Sequence, residues 1–464
     1  MNPAAVGDQF PTFKRIGKRL FAISKPIGKG FLVLVIVLGG VYGILACVFT
    51  SQYRSEIAAV KARGEPLTPA DLMGEEIPDA ENAAIVYERI FSELAKEAVL
   101  KDLYTLEEFV HSDAAEKDAP TPDEARRALA RSRKVLALLE EAASRPKCRF
   151  QLNWGDPTQR DFRHFSRLRS LMQLLRADAV INAQNGQMRD ACHSINMELK
   201  LLKSLEDEPT LIAQLVQVAL FGITKQSMND ALAYGDITEA QARQLFDALA
   251  EVDVPHGFMR CWQGERVYFL RISQMSDPPV TVRNTSPGGR GGVRIYHLPK
   301  PLGWLYGRTL FRGEQAAYLR FMARQIDGVN LSYKEAKSRR LFEEQQNLPF
   351  YATLSKTLAP VHARVAKQRY IFEAHVAQTQ VVLALQAYKD RQGSYPATLD
   401  ELRSRLGWEL PKDPFSGKDL VYKRQDKRFL LYSIGPDLND DGGKELDHYL
   451  IPTKPGDIVW KWER

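Results

Sequence analysis

Apolar and polar positions along this chain follow three different periods. Residues 31–49 are apolar without interruption and carry no charge. As a helix, about 19 residues at 1.5 Å each reach about 28 Å, close to the hydrocarbon thickness of a bilayer. From residue 81 to residue 234, apolar positions instead recur every three to four residues, the mark of amphipathic helices. Towards the C-terminus, short runs rich in β-branched and aromatic residues alternate with turns, which predicts strands.

The helical stretch divides at its punctuation. Ala84, Ile85, Tyr87, Ile90, Phe91 and Leu94 share helical spacing within residues 81–146. Thr121-Pro122-Asp123-Glu124 is a helix start: a capping threonine, a proline suited to the first turn, and acids at the positive end of the dipole. Phe165, Leu168, Met172, Leu175 and Ala179 make one stripe that breaks at Asn185-Gly186. Ile195, Leu199 and Leu202 make a second, which ends near Pro209. A third runs from Leu211 to Leu232, and Thr238 with Gln241 caps the next. This is the grammar of an α-helical array without a repeat of fixed period.

Residues 276–303, with Pro278-Pro279 and Ser286-Pro287-Gly288-Gly289, predict a long irregular loop carrying Arg283, Arg290 and Arg294. It reads as a solvated loop, or as one that touches headgroups or a partner. Helical spacing returns over 312–340 and from Ser355. After Gln368 a helix carries Ala377, Val381, Ala384, Leu385 and Tyr388, then stops at Gly393-Ser394-Tyr395-Pro396. A short helix over 396–402 and strands over 420–423, 429–434 and 458–462 follow. A long helix on a small antiparallel sheet is an α+β unit.

Charge changes the picture by its location. The net charge of the 464 residues is +7. Residues 1–30 hold Lys14, Arg15, Lys18, Arg19, Lys25 and Lys29 against Asp8, a surplus of +5 that leaves +2 for the rest (7 − 5 = 2). The basicity is a tail beside the apolar segment rather than a nucleic-acid surface. The positive-inside rule then sets the N-terminus in the cytoplasm. The expected layout is a basic cytoplasmic tail (1–30), a transmembrane helix (31–49) and a stalk (50–80). A mostly α-helical extracytoplasmic domain (81–365) and an α+β domain (366–464) complete it. The chain is expected in the inner (cytoplasmic) membrane, single-pass, with its bulk periplasmic or extracytoplasmic. A buried core helix and a cleaved signal peptide are the other readings of residues 31–49. The first is the less common outcome, because core helices rarely stay apolar on every face. The second conflicts with the long basic tail and the absence of a small-x-small site. Ile44-Leu45-Ala46-Cys47 also offers a weak lipidation box. The scattered Cys47, Cys148, Cys192 and Cys261 form neither a disulfide framework nor a zinc motif.

The last hundred residues carry a resemblance. Ala387-Tyr388, Gly393-x-Tyr395-Pro396, Leu399-x-x-Leu402, Pro411-Lys412-Asp413-Pro414-x-x-Gly417, Tyr422 and Leu431-Tyr432-Ser433-x-Gly435 occur in order before an acidic loop. Together they resemble the globular part of the major pseudopilin of type II secretion systems. The resemblance implies a long helix packed on a small sheet, a calcium-binding loop and a link to secretion or envelope assembly. The chain departs from that family upstream. Its apolar segment is remote from the long helix, and Val35 stands where a processing site beginning at Gly30-Phe31 has glutamate.

Asp437-Leu438-Asn439-Asp440-Asp441-Gly442 independently matches the first half of a calcium loop, with alternating oxygen ligands and a glycine for the turn. Asp437, Asn439, Asp441 and Asp447 are the candidate calcium ligands; Glu445 could replace Asp447, and an Asx-rich turn is the alternative. No HExxH, GxSxG, P-loop or dinucleotide fingerprint occurs, so the residues assign no catalysis. The expectation is a non-enzymatic scaffold or interaction protein with a protein partner and a membrane contact through residues 31–49. The alternative is an extracytoplasmic protein that binds a peptide, glycan or small ligand through its helices.

Overall fold

The computed structural model describes residues 11–112, 119–154, 161–273, 279–284, 293–297, 300–343, 348–426, 428–446 and 454–461. The chain is mostly helical, with one N-terminal helix long and apolar enough to span a membrane and a three-stranded antiparallel sheet near the C-terminus.

Helix α1 (Pro11–Ala62) does not stop where the apolar run stops. It continues for more than three turns and lies along α13 (Leu310–Gly328). Phe49 and Val60 are buried there. Arg312 covers the Tyr53 ring at 4.6 Å, and Arg320 reaches Glu56 at 3.1 Å. Residues 49, 53, 56 and 60 fall on one face of a helix, so the same stripe continues from the end of the apolar run onto the body. The following α2 (Pro69–Met73) is capped by Thr68 and Asp71 and buries Leu72 against α11 (Val254–Ile272). Within residues 50–80, expected as a stalk, the end of α1 lies on α13 and α2 lies on α11.

Helices α3 (Ala83–Leu94), α4 (Glu97–His111), α5 (Pro122–Arg131) and α6 (Arg133–Ala143) form a first layer. The expected capping boxes exist: Thr121 with Glu124 opens α5, and Thr238 with Gln241 opens α10 (Glu239–Ala250). Behind this layer, α7 (Arg163–Gln184), α8 (Met188–Lys203) and α9 (Leu211–Tyr234) pack on one another.

Where a loop was expected over 276–303, strands β1 (Pro279–Asn284) and β2 (Val293–His297) pair antiparallel, and α12 (Lys300–Arg308) follows. Val280 with Val282 and Val293 with Ile295 alternate along the two runs and suit a pleated ribbon, a signal masked by the glycines and prolines around them. After α14 (Tyr333–Ser338), α15 (Thr353–Gln392) runs through the centre. Its start is held by Glu314 of α13, whose carboxylate accepts from the Leu354 and Ser355 N–H groups at 3.0 and 2.9 Å. A carboxylate there meets unsatisfied donors and the positive end of the dipole. From Gln368 to Tyr388 the helix is buried on nearly every face. It carries α10, α11 and α13 as well as the sheet.

Helix α16 (Leu399–Leu406) and strands β3 (Val421–Gln425), β4 (Arg428–Ser433) and β5 (Ile458–Val459) complete the chain in the order β3-β4-β5. Val421 pairs with Tyr432, and Tyr432 in turn with Val459. One hydrophobic core extends from Ala83 in α3 to Trp460 after β5. Residue 366, expected to open a separate domain, lies inside α15.

Candidate functional site: an acidic turn and the cleft beside it

The acidic loop leaves β4 through Gly435, whose φ of +69° is paired with a close approach to the Gly456 carbonyl oxygen. A Cβ at residue 435 would meet that oxygen at 2.5 Å, so glycine is required on both counts. Asp437 then accepts from the Asn439 N–H at 3.1 Å, an Asx turn that carries Leu438 at a φ of +70°. Asp440 accepts from the Tyr432 hydroxyl at 2.7 Å and the Gly442 N–H at 3.0 Å. The Tyr432 hydrogen bond, more than the backbone one, lowers the Asp440 carboxyl below its ordinary pKa.

Sequence spacing gave no hint of Asp457, which organises the turn from the far side. It is fully buried, accepting from the Gly443 N–H at 2.7 Å and the Asp441 N–H at 3.4 Å. Burial raises its pKa against the pull of those donors.

Of the four expected calcium ligands, Asp437, Asn439 and Asp441 share this turn, and Asp447 lies outside the described residues. Among the described residues, no three Asp, Glu, His or Cys side chains converge as a metal cage. The Asp440 and Asp457 carboxylates are committed to the turn's own donors. Asp437 Oδ2, however, is buried with no hydrogen-bond partner. The described part of the loop is therefore a self-capped turn that leaves a carboxylate oxygen unmatched.

Asp457 also lines a cleft of about 830 Å3 between α7 and α9 on one side and β5 on the other. Leu220, Ile223, Leu446 and Ile458 give it apolar walls. Arg169, Lys225 and Lys461 bring positive charge, against Glu445 and Asp457. Lys461 pairs with Glu445 at 2.7 Å, and Arg169 with Glu107 at 3.2 Å. Lys225 lies 3.0 Å from His375 Nδ1 and 5.0 Å from the centre of the Trp460 ring. Burial, reinforced by the Lys225 charge, holds the His375 pKa well below the usual histidine value, so the imidazole is neutral.

Two amides set the polarity of the wall. Gln173 is 3% exposed and Asn229 is 5% exposed, and both line the cleft. Asn229 donates to the Lys461 carbonyl at 2.9 Å, but its Oδ1 accepts nothing. Gln173 Oε1 is likewise buried without a partner. Each unmatched buried acceptor costs about 1–3 kcal/mol unless a donor arrives.

The remaining chemistry is dispersed. His164 pairs with Glu208 at 3.1 Å, His256 with Asp207 at 2.8 Å, and His193 with Glu140. His362 stacks on Trp262 at 5.3 Å. All four cysteines are free thiols; burial raises the pKa of Cys148, Cys192 and Cys261 and makes them poor nucleophiles. No protein-family model matches the chain, and no curated protein or solved structure is significantly similar to it.

Proposed function

We propose that the chain is a single-pass membrane-anchored binding protein whose body lies on the extracytoplasmic side and whose cleft between α9 and β5 takes a small polar ligand. One observation carries the reading: Gln173 and Asn229 line the same cleft, and the buried amide oxygen of each, Oε1 and Oδ1, has no hydrogen-bond donor. Natural interiors seldom leave such atoms unpaired, and a large pocket with a few convergent polar groups is where ligands bind. The ligand must supply N–H or O–H groups to those oxygens. Arg169, Lys225 and Lys461 favour one that also carries a carboxylate, and the apolar walls suit a short carbon skeleton. Amino acids, short peptides and sugar acids meet these conditions. The reading involves no catalysis. Titration of the full chain with L-glutamate, diglycine or D-glucuronate should raise its melting temperature to a plateau for at least one of them, and Asn229→Leu should abolish the rise. Flat curves for all three probes would reject this ligand class.

A second reading rests on Asp437 Oδ2, buried and unmatched. In it the α+β end is a pseudopilin-like interaction module, stabilised by calcium at Asp437, Asn439, Asp441 and Asp447 and engaged by a protein partner in type II secretion or envelope assembly. Calcium titration of the full chain tests it. A saturating rise in melting temperature that Asp437→Ala removes supports the module. An equal melting curve with calcium and with chelator rejects it.

A further inference from the structure

The apolar run of α1 ends at Phe49, yet the body begins to cover the helix before that point. Phe31 to Leu38 are open on every side, whereas Tyr42 is half-buried, its hydroxyl oxygen is enclosed, and Phe49 is buried. Tyr42 lies about 10 Å below Phe49 along the helix axis. If α1 crosses a bilayer, part of the body must stand beside it below the level at which the helix leaves the hydrocarbon.

Residues at and beside the Phe49 contact carry interfacial chemistry. Tyr351 meets Phe49 with ring centres 4.9 Å apart, and its neighbour Phe350 is 80% exposed, the most open of the exposed large hydrophobics in the described chain. Such exposure is costly in water and favourable at the boundary of headgroups and acyl chains. Helix α12 leads directly into α13, on which α1 lies. Its sequence, Lys300-Pro301-Leu302-Gly303-Trp304-Leu305-Tyr306-Gly307-Arg308, is apolar and aromatic between two cationic ends, and Leu305 is 39% exposed. That composition suits a short helix lying in the membrane surface.

We infer that the body is seated in the bilayer surface beside α1 by Phe350 and α12, which enter the headgroup–acyl boundary. The seat is a second membrane contact, separate from the transmembrane anchor. Because α1 packs onto α13 without an intervening linker, the seat and the anchor together fix the tilt and height of the cleft above the membrane. The inference rests on α1 crossing a membrane, and the experiment separates the two.

Spin labels are placed in the full chain carrying Cys47→Ser and reconstituted in phosphatidylcholine nanodiscs, one at a time, through Gly40→Cys, Phe350→Cys and Tyr104→Cys. Residue 40 reports the anchor. Tyr104, 67% exposed on α4, reports a body surface remote from α1 in packing. Accessibility to oxygen is compared with accessibility to a water-soluble nickel chelate. The expected result is oxygen-dominated relaxation at 40 and 350 and chelate-dominated relaxation at 104. Chelate-dominated relaxation at 350 with oxygen-dominated relaxation at 40 would overturn the seat and leave the anchor intact. Chelate access at 40 would overturn both. Phe350→Trp gives a reading without cysteine changes: brominated lipid should quench the emission that this tryptophan adds, as for an interfacial ring. No quenching of that added emission would also overturn the seat.

Discussion

The ring of Phe49, at the end of the apolar run, meets Tyr351 edge-on at 4.9 Å and an angle of 63°. This contact joins the segment that could cross a membrane to the turn that precedes the central helix α15. Gly313 of α13 makes it geometrically feasible. A Cβ there would lie 2.8 Å from the Tyr351 ring and 2.9 Å from the Phe49 ring. The helix that carries the apolar run packs directly onto the body.

Gly313→Val should therefore separate α1 from α13. Both rings would have to move, and overpacking of this kind costs about 1–3 kcal/mol. A lower melting temperature and faster hydrogen exchange over residues 49–62 are expected. Unchanged exchange there would mean that the helix is held elsewhere.

Arg266 ties the segment after α1 to α11. Its side chain is fully buried, pairs with Glu65 and donates to the Pro66 carbonyl at 2.9 Å. Burial lowers its pKa, opposed by the Glu65 carboxylate. Glu65→Ala would strand a buried cation, a loss of about 3–5 kcal/mol. Glu65→Ala with Arg266→Met should recover most of it in chemical denaturation. A double variant no more stable than Glu65→Ala would show that the pair is not the cause.

Two buried groups shape the pH dependence from opposite sides. Burial pushes the Glu198 carboxyl, which accepts from Ser227 Oγ at 2.6 Å, from 4.5 up to about 8. The fold then holds a proton that the unfolded chain releases, so this contribution is complete below pH 4.5 and is lost as pH rises to about 8. Glu198→Gln should flatten the fall in stability over that window. Burial lowers His362 from 6.5 to about 4, so its contribution is present above 6.5 and is lost as pH falls towards 4. Melting curves that keep the parent's alkaline slope in Glu198→Gln would reject the first assignment.

Much of this architecture was legible in the residues. Thr121 with Glu124 and Thr238 with Gln241 announce helix starts because capping is local. The strands around Leu431 are legible for the same reason: alternation and flanking turns are short-range signals. The cleft was hidden because its parts come from α7, α9 and the segment after Gly456. Gln173 and Asn229 look like ordinary polar positions until α7 and α9 prove to be covered on several sides, so that polar residues face inward. Asp457 was missed for a related reason: its partners Asp441 and Gly443 precede it across a loop that no spacing rule closes. The packing of residues 50–62 escaped notice because only Tyr53, Ile57 and Val60 continue the apolar stripe among charged neighbours.

The most direct test of the binding cleft is Gln173→Leu, measured for melting temperature with and without the probes. An unpaired buried oxygen costs stability in the empty protein and is redeemed by a ligand. The account predicts that Gln173→Leu melts at or above the parent temperature without probe and no longer responds to the probe that stabilises the parent. A variant less stable than the parent that still responds to that probe would show that Gln173 is a structural residue and that the cleft is not the site.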